Sequence, residues 1–153
     1  MRIGIIVHSH TGNTLSIAQK LKEILEANGN SVNLEQVTAV NENPSEKNIQ
    51  LKSIPDTEGY DALIFGAPVW AFSLSPVMKA YLSQLPSLSG KKVSCFVTQQ
   101  LPYPFMGGNR AIKEFKKGCE IKGTDVSETG IVNWSSKQRE KKISDIIQKF
   151  SRL

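Results

Sequence analysis

A chain of 153 residues with 39% apolar composition suits one globular domain, residues 1–153, built around a single core. No apolar run approaches the roughly 20 residues that a membrane-spanning helix needs, and the chain begins on a strand pattern with two cysteines lacking metal-ligand spacing, so a cytoplasmic setting without membrane contact is expected. The net charge of +5 comes from the second half, with six basic against eight acidic side chains through Gly90 and thirteen against six from Lys91 on; those lysines fall on polar helix faces without interleaved aromatics, which argues against nucleic acid and leaves an acidic partner or a small anion.

The chain opens with Ile3, Ile5, Ile6 and Val7 and breaks into His8-Ser9-His10-Thr11-Gly12-Asn13-Thr14, after which Leu15, Ala18, Leu21, Ile24 and Leu25 recur at helical spacing. A buried strand therefore feeds a helix through a polar turn. Free N–H groups and the positive end of the helix dipole converge there, Ser9, Thr11 and Thr14 add hydroxyls, and Gly12 lets the backbone come close. Such a turn suits a phosphate without any lysine. A Walker loop and a three-glycine dinucleotide fingerprint are both absent, and no cysteine opens the turn to act as a nucleophile. What remains is a phosphate monoester held for binding.

Asn28-Gly29-Asn30 should end the first helix, and residues 31–37 read as a second strand with Val32 and Leu34 on one face. Residues 38–59 are polar and interrupted by Pro44 and Pro55, leaving room for only a short crossover helix over 45–52. A third strand over 60–67 runs into Pro68-Val69-Trp70-Ala71-Phe72. Ser75-Pro76 then predicts an N-cap and first helical residue, with Val77, Ala80, Tyr81 and Leu85 facing inward. The fourth strand, 91–98, opens into an irregular loop from Gln99 to Gly108 that carries Tyr103 and Phe105. A basic helix over 109–118, a fifth strand over 123–132 weakened by Gly130, and a last helix complete the chain. That helix reads as opened by a Ser135/Gln138 capping box, with Ile143, Ile146, Ile147 and Phe150 on its apolar face. Cys95 and Cys119 fall on apolar faces and read as core thiols.

Five strand–helix alternations imply an α/β fold of three layers, α/β/α, with a five-stranded parallel sheet of order 2-1-3-4-5. The ligand of such a sheet lies beyond the strands' carboxyl ends where the order reverses, so three loops converge: the hydroxyl-rich turn, the loop with Trp70 and Phe72, and the loop with Tyr103 and Phe105. A phosphate cradle flanked by aromatic loops suits a phosphorylated planar ring system.

The run Ser9-x-Thr11-Gly12-Asn13-Thr14 resembles the FMN-phosphate loop of the flavodoxin family. Gly66-Ala67-Pro68-Val69-Trp70 resembles its first isoalloxazine loop, and 98–108 its second. The resemblance covers nearly the whole chain. It implies a flavodoxin-like fold, bound FMN, and electron transfer between redox partner proteins by a monomer or weak homodimer, with no metal and no catalytic acid or base. Carried over by position, Ser9, His10, Thr11, Gly12, Asn13 and Thr14 would hold phosphate. Pro68, Val69, Trp70, Ala71 and Phe72 would flank one side of the ring, and Thr98, Gln99 and Tyr103 the other, with Phe105, Gly107 and Gly108 in the same loop.

Three features depart from the family pattern. The basic charge replaces the usual acidic surface, which implies an acidic partner and a less negative second potential. The Trp70-Ala71-Phe72 loop has no glycine, so a backbone needing positive φ there is costly and one-electron behaviour is in doubt. His8 and His10 occupy the turn, and a protonated His10 would tighten phosphate binding as pH falls through about 6.5. An alternative on the same fold is an NAD(P)H-dependent FMN or quinone reductase, whose loops the Pro68-Val69-Trp70-Ala71 run also resembles. A receiver domain shares the topology but needs acidic residues and a lysine where this chain has His8-Ser9, Gly66-Ala67 and Asn133-Trp134.

Overall fold

The structure, a computed structural model, describes residues 1–152. In chain order the elements are β1 (Arg2–Val7), α1 (Asn13–Ala27), β2 (Ser31–Gln36), β3 (Thr38–Ala39), β4 (Leu51–Ser53), β5 (Ala62–Trp70), β6 (Ser73–Leu74), α2 (Pro76–Gln84), β7 (Lys92–Gln99), α3 (Gly108–Ile121), β8 (Val126–Asn133) and α4 (Arg139–Phe150). The central sheet runs β2-β1-β5-β7-β8, all parallel, which is the expected order 2-1-3-4-5.

Because the inner strands are covered on both faces, their sequences read as nearly unbroken apolar runs whose alternate residues feed two cores. Ile3, Ile5, Ala62, Ile64 and Phe96 point toward α1 and α4, where Leu21 and Phe150 are fully buried. Ile6, Leu63, Phe65, Cys95 and Val97 point toward α2 and α3, where Tyr81 and Phe115 are buried. Both thiols lie within the second core, and burial pushes the Cys119 thiol up to about 12 and that of Cys95 further still. They are packing residues.

Four expectations need correction. Residues 45–52 form no helix. Asn41 and Asn43 accept from backbone N–H groups two residues on, and Glu46 does the same for Asn48, so side chains compete with a helical ladder; β3 and β4 pair antiparallel around this segment instead. The third strand overshoots its expected end, because Val69 and Trp70 pair with Leu74 and Ser73 of β6 in a tight hairpin. Met78 and Leu82 face the core of α2 while Ala80 is half-buried. There is no capping box: Ser135 Oγ donates to the Gln100 carbonyl, Ser136 Oγ accepts from the Gln138 N–H, and α4 starts only at Arg139. The cap at Ser75 is as expected, its Oγ accepting from the Met78 N–H at 3.1 Å.

Gly66 sits opposite Phe96 in the sheet, and a Cβ there would overlap the Phe96 ring. Gly66→Ala is expected to destabilise the fold by about 1–3 kcal/mol, read as a lower urea midpoint at an unchanged slope.

Candidate functional site

Parallel pairing brings the carboxyl ends of β1, β5 and β7 to one edge, with Val7 opposite Gly66 and Pro68 opposite Thr98. The turn after β1 leaves from there. Gly12 is the N-cap of α1 with φ 93°, and a Cβ on it would meet nothing within 4 Å, so glycine is required by the backbone angle and not by space. His10, Thr11 and Gly12 are exposed, while Ser9 and Asn13 are half-buried. No acidic residue occupies the first turn of α1, and among the described residues the N–H groups of 11–14 donate to no protein acceptor. Unpaired donors and an uncompensated helix dipole are therefore concentrated on one exposed spot.

Thr14 is placed differently from its neighbours. It is buried, and its Oγ1 shares a 2.9 Å hydrogen bond with Oγ1 of Thr98, also buried, which ties the turn to the end of β7. Ser9 Oγ accepts from the Leu15 N–H at 3.2 Å and holds the turn against the helix start.

Trp70 forms one wall. Its ring is half-buried and meets His8 and His10 edge-on, at centroid distances of 5.1 and 5.4 Å and interplanar angles of 77° and 90°. Beyond it, Ala71 and Phe72 are the two central residues of the β5–β6 hairpin, with φ of 50° and 62°. Two positive φ values are what a type I′ hairpin requires, and asparagine and glycine are its usual residues. The lack of glycine therefore does not bar the left-handed conformation here; the structure holds it at the expense of local strain.

Gln99 organises the opposite wall. Its Nε2 donates to the carbonyls of Leu101 and Tyr103 at 3.3 and 3.0 Å, and Asn133 Nδ2 also donates to Leu101 at 3.0 Å, so the loop curls around a buried amide. Gly107, with φ 115°, is where the walls touch: a Cβ there would lie 2.7 Å from Phe72 Cα and 2.8 Å from Val69 Cγ1. Gly108 packs against Gln99 in the first turn of α3.

Between the walls lies a cleft of about 90 Å³ lined by His10, Thr11, Asn13, Pro68, Val69, Trp70, Thr98, Gln99 and Gln100. It adjoins a second hollow of about 160 Å³ bounded by Ala71, Phe72, Leu101 and Met106, the two sharing Val69, Gln99 and Gln100. Tyr103 and Phe105 are not in either. They stack on one another at 5.6 Å and 4° and face outward, Tyr103 bordering a separate depression beside Asn133 and Lys137. The loop instead contributes Gln100 to the cleft and Leu101 and Met106 to the adjoining hollow, residues that carry no sequence signal. A larger groove of about 420 Å³ between α2 and α3, lined by Leu82 and Ile121, shares no residue with the turn.

His8 was expected in the open turn, but it is fully buried beneath it. Its Nδ1 lies 2.9 Å from Ser75 Oγ and its Nε2 2.8 Å from Glu42 Oε1. Burial lowers its pKa below the usual histidine value, against the raising effect of Glu42. The arrangement has the residue types of a hydrolytic triad, but Ser75 is fully buried and already caps α2, so it presents no nucleophile.

A family model described as a flavodoxin domain matches residues 4–105. The fold is similar to that of the two-electron reduced Megasphaera elsdenii flavodoxin, at a TM-score of 0.72 and 21% identity over 99% of both chains. Oxidised Flavodoxin 2 from Bacillus cereus gives 0.70 and 21%, also over 99% of both chains. A flavoprotein from Lactobacillus acidophilus NCFM in complex with FMN gives 0.64 and 18% over 98% of both.

Two predictions follow from this geometry. Replacing Phe72 by Gly relieves a left-handed residue whose ring is largely exposed, and should raise stability by about 0.5–1 kcal/mol in urea unfolding. Because His8 is held neutral in the fold, the unfolded chain binds more protons below about pH 6.5. Stability should be intact above that value and decline as pH falls toward the lower folded value. Urea melts at pH 7.5 and 5.5 should show a larger drop for the wild type than for His8→Gln.

Proposed function

The chain belongs to the flavodoxin domain family, and from that premise we propose that it is an FMN-binding carrier that passes electrons between redox partners. The observation that carries this reading is the bare amino end of α1, where neutral donors from residues 9–13 face solvent beside the Trp70 wall. Ser9, Thr11, Gly12 and Asn13 hold the phosphate, assisted by backbone N–H groups and the helix dipole, and Thr14 supports them from beneath.

The ring enters between Pro68, Val69 and Trp70 on one side and Gln99, Gln100, Leu101 and Met106 on the other. The two hollows are smaller than the several hundred Å³ of an enclosing ligand pocket, so one edge of the ring stays accessible to a partner. Bound FMN supplies one- or two-electron chemistry, while the chain's residues bind it, orient it and limit its contact with water. Phe72 is exposed on the rim, Tyr103 and Phe105 face outward from the neighbouring loop, and the basic excess from Lys91 onward favours an acidic partner.

Purified protein should show the visible spectrum of an oxidised flavin and prefer FMN over riboflavin by at least about a hundredfold, since several charge-assisted hydrogen bonds go with the phosphate. A colourless protein that ignores added FMN refutes the reading. Sustained NAD(P)H oxidation with a quinone acceptor would instead place the chain among the reductases.

A further inference from the structure

Glu42 lies in the irregular segment between β3 and β4, outside the residues that line the cleft, yet one buried side chain connects it to the Trp70 wall. Ser75 Oγ accepts from the Met78 N–H, so its own hydrogen is free to be donated to His8 Nδ1. The neutral ring then carries its proton on Nε2 and donates it to Glu42 Oε1 at 2.8 Å. Glu42 Oε2 in turn accepts from the Ala39 N–H at 2.8 Å. With both nitrogens tethered, the imidazole cannot turn without leaving buried polar atoms unpaired. It packs near-perpendicular to the Trp70 ring, at 5.1 Å and 77°, and the indole is the wall of the slot.

We propose that Glu42 is a positioning residue for the flavin ring: it orients His8, the near-perpendicular contact with His8 sets the angle of Trp70, and Trp70 sets the width of the slot. The inference rests on the FMN reading. The ionisable groups that face His8 are Glu42, from the segment after β3, and His10, from the turn. His10 also packs near-perpendicular to the indole, so the indole touches two imidazoles, of which only His8 is anchored in the interior.

Trp134, which lies against the Arg139 guanidinium at 5.0 Å, is the other tryptophan, so a Trp134→Phe background leaves Trp70 as the sole indole emitter. In that background Glu42→Ala should increase acrylamide quenching of Trp70 in the flavin-free protein. It should also weaken FMN and riboflavin by the same factor, about tenfold. Glu42→Gln, which keeps one acceptor, should give a smaller effect in the same direction, and it carries the test if circular dichroism shows the alanine variant unfolded. Adding Glu42→Ala to His8→Gln should weaken binding no further. Glu46→Ala, in the same segment but with a side chain that accepts from Asn41 and Asn48, should leave quenching and affinity unchanged.

Unchanged quenching overturns the proposal. So does a loss confined to FMN, which would mean that Glu42 acts on the phosphate turn, and so do additive losses with His8→Gln. A wild-type chain that binds neither flavin overturns the cofactor reading and the flavin half of this inference. The quenching result decides independently whether Glu42 orients Trp70.

Discussion

Parallel pairing of β1, β5 and β7 is the constraint on which the rest of the structure depends. Because the three strands run the same way, their connecting loops leave from one edge, and the right-handed crossovers put α1 on one face and α2 on the other. The bare amino end of α1, the Trp70 wall and the Gln99 wall are thereby brought within one small volume. None of them is a site alone. The apolar strands that enforce the pairing are covered on both faces, which makes the platform rigid while the loops remain open to solvent.

The two walls are not independent of each other. Gly107 lets the start of α3 press against the Phe72 backbone, and Glu114 of α3 accepts from the Leu74 N–H at 3.2 Å while pairing with Lys79 at 2.6 Å. Burial alone would raise the Glu114 carboxyl, but the hydrogen bonds from Lys79 and Leu74 outweigh it and hold it below the usual glutamate value. These contacts clamp the Ala71-Phe72 turn from the α3 side, which is how a left-handed pair without glycine persists. Strain of this kind concentrates where a segment must hold an unfavourable shape next to a ligand.

The basic excess and the bare amino end of α1 fall in different parts of this molecule. The turn after β1 has no lysine or arginine, and the first turn of α1 carries no ionised side chain. What that turn offers an anion is a set of oriented backbone dipoles that need little reorganisation. The thirteen cations that follow Gly90 lie mainly on α3, α4 and the segments beside them. They shape the long-range field around the protein and supply no side chain to the turn after β1.

The sequence by itself determined the alternation of strands and helices, the sheet order and the hydroxyl-rich turn before α1, because those depend on short-range signals: branched aliphatic runs, helical spacing, and hydroxyls with glycine before a helix. It placed the cap at Ser75 for the same reason. Tertiary structure decided the rest. Residues 45–52 lost their helix to side-chain hydrogen bonds that no periodicity reveals. Tyr103 became an outward-facing ring while Gln99 reels in the carbonyls of its own loop, an arrangement that aromatic content does not reveal. His8 passed from an apparently open turn to the interior because its partners stand 34 and 67 residues away in sequence. Contacts at that separation exist only once the sheet has formed, which is why spacing along the chain cannot announce them.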